Sequence, residues 1–271
     1  MRTAALLCEE MPALAYPLQP GYRKPINSQV NPMANLEGRR DLAAAFRMTA
    51  RLGMNEGIAN HYSLALSDDG ARFLMNPYGR HWSKMRASDL LELDAKAEPS
   101  GLGEDIDPSA WAIHGALHRN VLQARCVMHL HSKYATVLAC LKDPAMPPID
   151  QNTMRFYNRM AFDDGYDGFG VGEEGERLSR TLGNRSVLLM GQHGILVVGP
   201  SVAQCFDDIY YFERAAETYI TALMTGKELN IASDAVAEKT ARQWEDYPGF
   251  AHKHLAAIRA ILNEEEPDYL Q

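Results

Sequence analysis

The 271-residue sequence predicts a single layered α/β domain whose sheet is mostly antiparallel or mixed. Helix-period and strand-period segments alternate from residue 36 onward, the pattern of a sheet covered by helices. Several strand runs are joined by tight Gly-containing turns, which antiparallel neighbours can use and parallel ones cannot. A content of 46% hydrophobic and 23% charged residues belongs to a chain that buries a full core.

Five of the fourteen prolines fall within the first 32 residues, so residues 1–35 read as an extended arm, laid over a neighbouring subunit or else disordered. A helix begins near Leu36, with Leu42, Ala45, Phe46 and Leu52 near helical spacing and Gly53 as its stop. Tyr62–Leu66 and Arg72–Met75 form two strands joined by Ser67-Asp68-Asp69-Gly70, a hairpin signal, and Leu90–Leu93 is a third. Ser100–Asp107 is a Gly- and acid-rich loop. Pro108, in its favoured first turn, opens a helix from Ser109 to Asn120.

Arg125–Leu130 alternates as a strand and runs into a helix over Ser132–Leu141, with Ser132 as the natural N-cap. Met146–Asp167 shows no clean period and reads as a long functional loop. A helix over Glu173–Leu182 ends at Gly183, and strand Ser186–Met190 meets its hairpin partner Ile195–Val198 through Gly191-Gln192-His193-Gly194. Pro200 and Ser201 start a long helix with Val202, Phe206, Ile209 and Tyr210 on its apolar side. Residues 227–271 read as polar, peripheral helices.

Composition removes several function classes. The net charge of −8, from 27 Lys+Arg against 35 Asp+Glu, leaves no basic footprint for nucleic acid. No apolar run approaches the ~20 residues that span a bilayer. Cys8, Cys126, Cys140 and Cys205 are scattered without a Cys-x-x-Cys pair and read as reduced thiols, those after Cys8 buried in apolar elements. Glu9 and Glu10 interrupt Ala4–Leu7, a poor signal peptide, so the expected location is the cytoplasm.

The chemistry gathers on histidine. Strand alternation puts His129 and His131 on one face with Cα atoms roughly 6.5–7 Å apart. Two imidazoles so placed can converge on one ion at about 2.0–2.1 Å per bond. His193, in its Gly-flanked loop, can complete three corners and leave coordination open, a catalytic rather than a structural arrangement. The alternative for the pair alone is imidazole without metal. Ala110, His114 and His118 share one helix face by four-residue spacing. His118 reads as solvated, and His114 as either site-facing or bonded between helix and sheet. His61 is pocket-lining or structural, while His81, His252 and His254 read as surface residues. Asp150, Arg155, Tyr157 and Asp164 in the irregular segment are acid/base candidates. Tyr157 can relay protons and Arg155 can clamp a carboxylate, unless they pack at a subunit boundary. Glu213 and Glu217 look like an ordinary solvated pair.

Gly57-Ile58-Ala59-Asn60-His61-Tyr62-Ser63, Asn76-Pro77-Tyr78-Gly79, Ala87-Ser88-Asp89-Leu90, Val127-Met128-His129-Leu130-His131, Gln192-His193-Gly194 and Val198-Gly199 follow one another in order. Together they make residues 36–226 resemble the class II aldolase and adducin head-domain family, nearer its adducin side. The resemblance implies a three-layer α/β/α subunit, a homotetramer with sites between neighbours, and a small-molecule substrate. It also implies that His129, His131 and His193 hold one divalent ion per subunit, zinc first, with iron, manganese or cobalt as alternatives. Such an ion polarises a hydroxycarbonyl and stabilises the enediolate left by carbon–carbon cleavage.

The sequence also departs from the family pattern. Ala110 stands where the aldolases carry their acid/base glutamate. The tyrosine supplied by an adjacent subunit has no counterpart in Ile149-Asp150-Gln151-Asn152, and Asn60-His61 mismatches the phosphate site. The expected function is therefore a metal-dependent lyase, by retro-aldol cleavage or decarboxylation, on a small unphosphorylated hydroxycarbonyl or aromatic acid. An Fe(II)-dependent oxygenase and a non-catalytic adducin-like module are the alternatives.

Overall fold

The computed structural model describes residues 35–97, 101–168, 172–247 and 249–271. The expected N-terminal arm, apart from Asn35, lies outside them. Seven strands form one mixed sheet: β1 (His61–Ala65), β2 (Arg72–Met75), β3 (Leu91–Asp94), β4 (Cys126–Leu130), β5 (Met160–Asp163), β6 (Val187–Met190) and β7 (Gly194–Gly199). Their order is β3-β2-β1-β4-β7-β6-β5, antiparallel throughout except for the parallel pair β5–β6. The hairpin at Ser67–Gly70 needs its glycine, because Gly70 has φ +66° and a Cβ there would lie 1.9 Å from the His118 carbonyl oxygen.

Among the described residues, eight α-helices surround the sheet: α1 (Leu36–Arg51), α2 (Pro108–Asn120), α3 (Lys133–Ala139), α4 (Gln151–Arg155), α5 (Glu174–Leu182), α6 (Val202–Met224), α7 (Asp234–Glu245) and α8 (Phe250–Glu265). Strand alternation divides the core into two. Tyr62, Met128, Leu189 and Val197 pack with α1, α3, α6 and α8. Val127, Leu188, Leu196 and Val198 point the other way, onto Ile113 and Leu117 of α2 and Leu178 and Leu182 of α5. The result is three layers, α/β/α. His61, Ser63 and His129 share the α2/α5 side by the same alternation, and His61 pairs directly with His129 across β1 and β4.

Three readings of the sequence need correction. The segment over Met146–Asp167 contains α4 and β5, which at five and four residues are too short to show a period. The C-terminal helices are not peripheral: Ala251, Leu255, Ile258, Leu262 and Tyr269 are buried in the larger core. The first four form one narrow stripe on α8, and the polar remainder of that helix hides it. Cys140, at the C-cap of α3, is exposed, while Cys126 and Cys205 are buried as expected.

Candidate metal and catalytic site

β4 and the β6–β7 turn bring His129, His131 and His193 together, with one ring nitrogen of each lying within 4.8 Å of the others. Hydrogen-bond partners fix two of the tautomers. His129 Nδ1 lies 2.9 Å from the Ile195 carbonyl oxygen, which can only accept, so Nδ1 carries the proton and Nε2 is bare. His131 Nδ1 lies 2.5 Å from a carboxylate oxygen of Glu56, which likewise makes Nδ1 the donor. With His131 as the neutral ring, its bare Nε2 faces that of His129 at 3.0 Å, lone pair to lone pair, an arrangement that a cation between them satisfies. His193 adds a buried Nδ1 with no partner among the described residues. Burial above all, with the neighbouring imidazoles, holds His129 well below the usual histidine range and pulls His193 down to about 4. Both are thus neutral near pH 7, the state a metal ligand requires. Three imidazoles so placed, two of them oriented by a carbonyl and a carboxylate, fit zinc or another first-row divalent ion.

The backbone around the triad is tightly specified. A Cβ on Gly194 would lie 2.4 Å from the Leu130 carbonyl oxygen and 3.0 Å from His131 Cδ2, so only glycine lets the two strands close here. Gln192 sits at φ +60°, in the left-handed region, and places His193 at the turn. Helix α3 leaves the site directly after His131, and its N-terminus is closed by Glu213 of α6. That carboxylate accepts from Tyr134 N at 2.8 Å, Ala135 N at 3.0 Å and Ser132 Oγ at 2.7 Å. Ser132 occupies the cap position but makes no capping bond itself, and Glu213 is buried rather than solvated.

Beside the triad runs a second set of imidazoles, linked through Ser63. His118 Nδ1 donates to the Ala124 carbonyl at 2.6 Å, leaving Nε2 to accept from Ser63 Oγ at 2.7 Å. With its proton so used, Ser63 Oγ accepts from His114 Nδ1 at 2.6 Å. His114 Nε2 is therefore bare, fully buried and without a hydrogen-bond partner among the described residues. Its ring stands perpendicular to His61 at 5.7 Å, and His61 in turn stacks on His129 at 5.7 Å. His118 is thus buried, not solvated, because its helix face meets β1 instead of water.

The other sequence candidates lie elsewhere. Arg155 is buried against Asp207 and Asp208, at 2.6 Å from each. Tyr157 is held by Asp234, whose carboxylate pushes the phenol upward. Asp150 caps α4 through Thr153 N. His254 is partly buried on Asp207. None of the four contacts the triad. Ala110 is fully buried among Phe73, Met75 and Leu93, an apolar packing position. Sequence reasoning missed Glu56, and also the exposed Tyr166, whose ring lies 6.0 Å from His193. The position of Glu56 directly before the Gly57–Ser63 motif was its one available signal.

Comparison with known proteins adds the following. Residues 40–220 match the family model described as the class II aldolase and adducin N-terminal domain. A Caulobacter vibrioides protein, placed by its name among candidate class 2 aldolases, is 30% identical over 78% of this chain and 82% of its own. The decarboxylase NovR of Streptomyces niveus is 24% identical over 79% of this chain and 82% of its own. The crystal structure of an aldolase II superfamily protein from Pseudomonas syringae superposes with a TM-score of 0.79, at 29% identity over 88% of this chain and 97% of its own.

Proposed function

The chain belongs to the class II aldolase and adducin N-terminal domain family, and from that premise we propose that it is a metal-dependent carbon–carbon lyase acting on a small unphosphorylated hydroxycarbonyl or aromatic acid. The observation that carries the reading is the pair of bare Nε2 atoms on His129 and His131, with His193 beside them and Ala110 in an apolar pocket. A divalent ion held by the three histidines supplies Lewis-acid stabilisation to an oxyanion developing on the substrate.

The chain's own residues account for the rest. Ile195 and Glu56 orient the ligand imidazoles and keep their protons on Nδ1. His61, half-buried between His129 and His114, is the imidazole placed to exchange a proton with a substrate bound at the open face. His114 is fully buried and cannot touch substrate, so its role is to position His61. Decarboxylation suits this inventory: the carbon–carboxylate bond breaks to release CO2, its electron pair stays on carbon, and one proton is added afterwards. No base is needed at the start, and none stands at residue 110. NovR, a decarboxylase by name, supports the same direction.

Zinc is the favoured ion, with iron, manganese or cobalt as alternatives. The protein is read as a cytoplasmic homo-oligomer, a tetramer, without nucleic-acid or membrane partners. No helix among the described residues is long and apolar enough to cross a membrane.

The test is an assay of zinc-loaded protein on hydroxy acids, dihydroxybenzoates and the fuculose, ribulose and rhamnulose phosphates. Turnover confined to unphosphorylated acids is expected. Robust cleavage of a sugar phosphate would overturn the proposal, and oxygen uptake with Fe(II) would replace it by the oxygenase reading.

A further inference from the structure

A cleft of about 340 Å³ opens at the end of the sheet away from the triad. Gly199 on its wall pairs with Cys126, whereas His129 pairs with Leu196, three residues and so roughly 10 Å along the strand. Arg155, Asp207 and Asp208 line one side of the cleft, and Trp244, Tyr247 and Phe250 another.

The polar side is nearly, but not fully, satisfied. Arg155, 8% exposed, donates through one terminal nitrogen to Asp207 and Asp208 and lies 5.0 Å from the Trp244 ring. The second oxygen of Asp207 is taken by His254, and that of Asp208 by Gln204. Both carboxylates are therefore engaged. Two buried donors remain without a partner among the described residues: the other terminal nitrogen of Arg155 and the indole Nε1 of Trp244. Buried donors in folded proteins are almost always paired, so two on one cleft point to an acceptor that the described chain does not supply.

Charge and shape narrow that acceptor. One guanidinium already faces two carboxylates, so a further anion would be repelled. Arg159, also on the cleft, is neutralised by Glu238 and Glu245. The aromatic wall suits a flat apolar ring.

We propose that this cleft is a second binding site, for a neutral aromatic molecule bearing a carbonyl oxygen. The oxygen accepts from Arg155 and Trp244, and the ring packs against Trp244, Tyr247 and Phe250. The site is independent of the histidine triad.

Benzamide is the probe, with benzoate and toluene as controls, followed through the indole N–H resonance of Trp244, assigned by loss in Trp244→Phe. A saturable shift with benzamide is expected, at least about tenfold tighter than with benzoate, which Asp207 and Asp208 repel, and absent with toluene. His193→Ala should leave it unchanged. Arg155→Lys keeps the charge but loses the fork, and should weaken binding by about tenfold or more. Proper folding of that variant is checked by its thermal unfolding. No saturable shift up to about 20 mM benzamide would overturn the proposal, as the donors would then be met by water alone. An equal response to toluene, or full retention of binding in a folded Arg155→Lys, would overturn it too.

Discussion

Two groups of buried or half-buried histidines occupy the same face of the sheet and use their nitrogens in opposite ways. In the His118–Ser63–His114 chain each bond has a donor and an acceptor, and the order is dictated by a carbonyl at one end. In the His129–His131–His193 group the protons are drawn outward by Ile195 and Glu56, and bare nitrogens are left facing inward. Residue type is alike in the two groups, although His131 and His193 are less buried than His114 and His118. What separates an imidazole that holds the fold from one that awaits a ligand is where its proton is anchored.

The largest effect that would break this contrast is at the triad. His193→Ala should reduce bound zinc from about one ion per chain to below about a tenth, because three protein ligands are the minimum of a catalytic site. Its denaturant midpoint without metal should match wild type. Metal retained in full by the variant would remove the distinction.

Next in size is the serine-linked chain. Ser63→Ala strands His114 Nδ1 and His118 Nε2 in the interior, at about 1–3 kcal/mol for each unmade partner. Equilibrium unfolding should show a loss of about 2–6 kcal/mol, with zinc stoichiometry unchanged.

A pH prediction follows from His118, which burial pulls down to about 4 from an unfolded value near 6.5. Between these values the unfolded chain binds more protons. The stability contribution is therefore complete above pH 6.5 and lost as pH falls toward 4, up to about 3 kcal/mol. In His118→Gln the unfolding free energy measured across that window should be flatter. Equal slopes in the two proteins would show that the ring is not held neutral.

The smallest effect sharpens the comparison. Glu56→Gln keeps the shape but weakens the pull on the His131 proton, and should lower zinc affinity about 10- to 100-fold in a competition titration, with stability unchanged.

Much of this was legible in the sequence, for local reasons. Period-two alternation placed His129 and His131 on one face, and the Gly-flanked turn located His193. Proline, serine and glycine punctuation marked most helix ends. What escaped detection depends on partners distant in the chain. Glu56 meets a histidine 75 positions later, Glu213 closes a helix 79 positions earlier, and Arg155 pairs 52 and 53 positions on. A carboxylate on a helix reads as solvated until the neighbouring element is known. His118 was misread in the same way: four-residue spacing gives the face of a helix but not what that face meets. Arg155 and Tyr157 were singled out for chemical type, and their surroundings gave that type a different use.

The strand order also has a consequence in time. β4 pairs with β1, which is made before it, and with β7, which is made after β5 and β6. From Leu130 to Gly194 is 64 positions (194 − 130), so at the usual 5–20 residues per second the ribosome needs roughly 3–13 s to supply the missing neighbour. Throughout that interval an apolar strand, Cys126–Leu130, presents one unpaired edge, and the His-x-His pair stands without its third member. Other nascent chains can dock on such an edge. Slowing synthesis between these two points should raise the aggregated fraction, whereas the same delay placed after residue 199 should not.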